Sequence, residues 1–185
     1  VKVEAIRIGE SDPAPLFTLI VGPSEESKQI GETRKEMSGR YEKRHRFWTS
    51  LLKWASGRTR LLSGRSPSKY HYISTGAGRT GLTSDLSIGK EEAKVEPYID
   101  RGKDCGEENK AIFDELFASK DVIERDFGEP LEWQRLEGKR ACRVFYRIQG
   151  AYSNEEGWEH LHDKMIDALI RLEKVIGPKI KKLSI

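Results

Sequence analysis

Three groups of residues in this chain of 185 have the types and spacing to do chemistry. The first is acidic: Asp85, then Glu92-Ala93-Lys94 on the next apolar-polar segment. Two carboxylates brought together from neighbouring strands can hold a divalent metal, and an ammonium beside them can steady a phosphate or an attacking water. Magnesium or manganese enters only on this reading; otherwise no cofactor is expected. The competing explanation is a solvated sheet face. In a chain with 34% charged residues, an acid-x-lysine triplet arises readily.

The second group is the glycine stretch GAGRTG, Gly76 to Gly81, after the strand-like YHYIST. Its spelling is that of a dinucleotide fingerprint. Such a fingerprint needs a helix directly after the glycines, because the helix N-terminus supplies the amide donors for the pyrophosphate. Here LTSDLSI follows, with Leu82, Leu86 and Ile88 on one parity and Thr83, Asp85 and Ser87 on the other. That is strand periodicity. The glycines are therefore expected to connect two strands, and no dinucleotide is expected as a ligand.

The third group is basic. Between Arg34 and Arg79 lie twelve basic and two acidic residues, a local excess of +10 in a chain of net charge +3. Arg40, Lys43, Arg44, Arg46, Arg58, Arg60, Arg65, Lys69 and Arg79 are the candidate contacts to a polyanion. Lysine and arginine displace counterions from phosphates. The aromatics interleaved with them, Tyr41, Phe47, Trp48, Tyr70 and Tyr72, offer stacking faces, although Phe47 and Trp48 fall at helical spacing with Leu51 and Leu52 and are expected in the core.

The elements that must position these groups read as α+β. Residues 1–8 and 16–21 read as strands. Polar, turn-rich residues 31–39 read as a linker, and a helix is expected from Arg40 to about Ser56. From there the order is α-βββ-α-ββ-α, a mainly antiparallel sheet with helices packed on it. One helix is expected from about Glu107 to Asp126. The last is expected to open on a capping box of Ser153 and Glu156 and to end or kink at Gly177-Pro178. Its apolar repeat offers a packing face either to its own sheet or to a second copy of the chain, so a homodimer is the alternative partner to nucleic acid. Cys105 and Cys142 read as two separate thiols. His160 and His162 point to different helix faces, which disfavours a metal site built on them. No segment has the length and apolarity of a membrane span, and no signal-peptide pattern opens the chain, so a cytoplasmic location is expected.

The stretches RHRFWTSLL, VEPYIDRG, ENKAIFDELFASKDVIERDFGEPLEWQRLEGKRACRVFYRI and MIDALIRLEKVIGPKI together resemble the bacterial and archaeal domain-of-unknown-function family 4268. The resemblance spans roughly residues 40–183 and implies no activity and no catalytic residues. EAIRIGESDPAPLFTLIVGP resembles the end of the nuclease-like domain that often precedes this family. That implies residues 1–30 are the remnant of an upstream nuclease-like domain and residues 40–185 the domain of unknown function. The expected role is a non-catalytic accessory nucleic-acid-binding domain, DNA ahead of RNA. The acidic group keeps open a metal-dependent nuclease of PD-(D/E)XK type in the domain itself, with Asp85, Glu92 and Lys94 as its residues.

Overall fold

Period-two patterning builds the central sheet of the protein. In the computed structural model, which describes residues 2–7, 9–18 and 25–183, β4 (Leu82–Ile88) buries every second residue. The chain divides into two compact units, Val1–Gly39 and Arg40–Ile185. The first holds an antiparallel hairpin of β1 (Lys2–Ile6) and β2 (Ala14–Thr18). Residues 19–21 of the expected second strand lie outside the described residues.

The segment expected to be a linker is helical. α1 runs from Glu25 to Ser56, so residues 31–39 are part of a continuous helix. Glutamate, lysine, arginine and methionine are good helix formers, and the polar run contains no proline. Polarity here marks a solvated helix, with residues 33–40 all exposed.

The second unit carries a five-stranded sheet in the order β3-β4-β5-β7-β6, antiparallel throughout. Its strands are β3 (Tyr72–Gly76), β4, β5 (Glu92–Ile99), β6 (Glu132–Gln134) and β7 (Cys142–Gln149). Gly76, Gly78 and Gly81 belong to the β3–β4 hairpin, where Gly76 pairs with Thr83. Gly78 and Gly81 adopt φ of +83° and +80°, a region open to glycine at no steric cost. A strand, not a helix, follows them.

Helices cover one face of this sheet. α4 (Trp158–Lys182) packs on β4, β5 and β7, and α2 (Gly106–Phe117) packs on β5 and β7. The apolar stripe of α4, including Leu161, Met165, Leu169 and Leu172, is buried against this core. The face that sequence alone left open to a second copy is thus used within the chain. α1 joins the core through Phe47, whose ring meets Trp48, Trp158 and His162 at centroid distances of 5.0, 5.4 and 4.7 Å.

Three local expectations are corrected. The helix expected over residues 107–126 is two helices, α2 and α3 (Lys120–Phe127), separated at Ala118-Ser119. The break turns the chain so that Leu116, Ile123 and Phe127 all reach the core. The Ser153 capping box does not form; a 3-10 turn over Glu155–Gly157 leads into α4 with no side-chain cap. Pro178 does not end α4, which continues to Lys182 because Ile180 and Leu183 beyond it are buried. Among the described residues no helix is long and apolar enough to cross a membrane.

Candidate functional site on the open sheet face

The sheet face opposite the helices is polar. Thr83, Asp85 and Ser87 from β4, Lys94, Glu96 and Tyr98 from β5, and Arg143 from β7 line a cavity of about 590 Å³. Tyr72 and Ser74 of β3 form its edge. The volume is that of a small-ligand site.

Its centre is a cross-strand pair of acids. Asp85 stands directly opposite Glu96 in the β4–β5 ladder. Side chains so placed on one face have Cβ atoms about 5 Å apart. Glu96 is only 9% exposed. Asp85 Oδ1 and Glu96 Oε2 are buried without a hydrogen-bond partner. Burial pushes the Asp85 carboxyl above its usual range, against the opposing hydrogen bonds of Thr83 and Ser74. Burial also raises Glu96; Arg143 works against the shift and the Asp85 charge adds to it. Tyr98 beside them is likewise raised by burial and by the charges of Asp100, Asp85 and Glu96.

The structure brings Asp85 and Lys94 to one cavity but sets Glu92 apart. Glu92 lies four residues along β5 from Glu96, about 13 Å at strand rise. Its carboxylate is bonded to Lys94 at 2.8 Å and to Arg147, and these two cations hold its pKa below the usual range. Glu96, not Glu92, is the acid that meets Asp85. The signal for it is present in the sequence. A turn over residues 89–91 pairs Ile88 with Ala93, and counting outward puts 85 opposite 96.

Cations roof the rest of this face. Lys94, Arg143 and Arg147 lie 5.0, 5.2 and 5.5 Å from the centroid of Phe145, which they bury. Arg147 is held by Glu132 at 2.7 Å, and Arg143 donates from Nε to Gln134 at 2.8 Å. Asp100, at the cavity rim, forms a two-pronged pair with Arg140 at 2.8 and 2.9 Å. Among the described residues no group of three or more His, Cys, Asp or Glu side chains could hold a metal ion. Cys142 is buried, and burial raises its thiol, so it is no ready nucleophile.

Residues 43–180 match the family described as Domain of unknown function (DUF4268). The chain belongs to that family. No curated protein and no solved structure matches it.

The basic residues of the DUF4268 domain fall into two sets. Some are used internally: Arg46 pairs with Glu155, Arg58 pairs with Asp163, and Arg79 donates to the Leu183 carbonyl at 2.6 Å. Arg44 lies 5.1 Å from the Tyr152 ring centroid and is half-buried. Arg40, Lys43, Arg60 and Arg65 are exposed and form no ion pair with a described residue. Lys69 is exposed too, over the rings of Tyr41 and Tyr70 at 5.8 and 5.4 Å. The acids that neutralise part of the basic segment come from the start of α4 and the turn before it. Two acids of α2 are taken by other arginines, Glu108 by Arg101 and Asp114 by Arg135.

Proposed function

We propose that this domain binds nucleic acid through the exposed cations of α1 and of the segment that follows it. The observation that carries this reading is the path of residues 57–70. Trp48 Nε1 donates to the Tyr70 carbonyl at 2.9 Å, and Lys69 stacks on Tyr41. The segment leaves the C-terminal end of α1 at Ser56 and so returns beside residues 41–48 of the same helix. Residues 41–56 of a helix span about 22 Å. Arg60, Arg65 and Lys69 are strung along that return, with Arg40 and Lys43 at its far end. A stripe of cations over such a length suits a phosphate backbone better than a compact anion. Exposed Tyr70 and Tyr72 sit where the stripe ends and can stack on unpaired bases.

The sequence resemblance supports the further reading that the domain is a non-catalytic accessory part of a larger nuclease-like protein, with DNA ahead of RNA as its partner. The test is fluorescence anisotropy with labelled single- and double-stranded DNA and RNA, titrated with salt in EDTA. Affinity is expected to fall steeply with salt. Replacing Arg40, Lys43, Arg60 and Arg65 by glutamine is expected to shrink the log–log slope by up to about 0.9 for each phosphate no longer neutralised. Absence of binding at low salt, or binding indifferent to salt, refutes the reading.

A further inference from the structure

The basic stripe leaves the sheet cavity unexplained. Two carboxylates face one another there with one oxygen each unpartnered and buried. Leaving such a group unsatisfied is unfavourable, and more so when it is charged. Neighbouring cations do not remove that cost. Lys94 is bonded to Glu92 at 2.8 Å. Arg143 Nη1 stays 4.0 Å from Glu96 Oε2 while its Nε is engaged by Gln134.

We propose that Asp85 and Glu96 bind a divalent cation of the magnesium or manganese class in the sheet cavity. The donors are hard carboxylate oxygens, which suit those ions and not softer metals. Magnesium keeps several waters and takes one or two carboxylates together with an anionic oxygen of its ligand. A cavity of about 590 Å³ leaves room for those waters. Lys94 and Arg143 line the same cavity and would supply positive charge to such an anionic oxygen. Glu96 is nine-tenths buried and lines the cavity, so the pair is more than acids meeting on a surface.

The proposal does not rest on nucleic-acid binding, since the cation binds with no nucleic acid present. The test is titration of the full chain with manganese alone, followed by the electron paramagnetic resonance of the free ion. Saturable binding of one ion per chain is expected, displaced by magnesium. Asp85→Asn and Glu96→Gln are each expected to weaken it about tenfold or more, and Glu92→Gln to leave it unchanged. Circular dichroism checks that the variants fold. Should either fail to fold, selective manganese broadening of the Asp85 and Glu96 amide resonances in the unaltered chain gives the same answer. No saturable binding, equal binding by folded Asp85→Asn or Glu96→Gln, or broadening centred on Glu92 overturns the proposal.

Discussion

Glu96 faces Asp85 across the β4–β5 ladder, and neither carboxylate is fully satisfied by the protein. The first prediction follows from that cost. Without divalent metal, Asp85→Asn and Glu96→Gln are expected to raise stability by about 1 kcal/mol each. Their pH dependence has a defined sign. Both carboxyls have folded pKa values above the ordinary 3.8 and 4.5, so the folded state holds more protons in that window. Stability from this pair is present below the ordinary values and is lost as pH rises through the folded ones. Urea midpoints of the variants and of the unaltered chain, compared from pH 3 to 8 in EDTA, should show the gain from each substitution growing as pH rises.

His162 predicts the opposite slope. It is buried beside Phe47 and Trp158, and burial depresses its pKa from 6.5 to about 4. The Asp163 charge opposes the shift only in part. The unfolded chain therefore binds a proton that the folded chain refuses. Stability is full above pH 6.5 and falls as pH drops toward 4. His162→Leu should remove this acid sensitivity, read as urea midpoints at pH 5 and pH 7.5.

The glycines of the hairpin are unequal. A Cβ on Gly81, where φ is +80°, would lie 2.5 Å from the Arg101 Cα. A Cβ on Gly76 would meet nothing within 4 Å. Gly81→Ala is expected to cost about 2 kcal/mol or more, and Gly76→Ala under about 1 kcal/mol. Thermal unfolding of the two variants checks this. Equal costs would mean that the stretch is not held as a hairpin.

Lys110 is a buried ammonium anchored on backbone carbonyls. It donates to the carbonyls of Arg135, Leu136 (3.1 Å) and Ala141 (3.4 Å), and so closes the β6–β7 connection, in which Leu136 has a positive φ of 55°. Lys110→Met fills the space but leaves those carbonyls unsatisfied. A loss of about 2–3 kcal/mol is expected, with faster amide exchange over residues 135–142.

The sheet was legible because its period is two: Leu82, Leu86 and Ile88 against Thr83, Asp85 and Ser87 gave β4 its faces before any pairing was known. The turns bounding it were legible from glycine and charge. Residues 33–40 of α1 were not, since a solvated stretch of helix has the same composition as a linker. The break between α2 and α3 was hidden because Ser119 carries no stronger stop signal than the residues around it. At the candidate site, spelling favoured Glu92 as the partner of Asp85, whereas pairing depends on register, which places Glu96 there. Charge counting found the basic segment. It did not show that Arg46 and Arg58 would meet Glu155 and Asp163, because those pairs join residues far apart in the chain.

Arg79 sits in the hairpin between β3 and β4, yet its guanidinium holds the carbonyl of Leu183. The rim of the sheet is in this way latched to the closing turn of the last helix. Clipping or extending the chain near that turn would loosen the lip of the cavity from a distance, without touching a residue inside it.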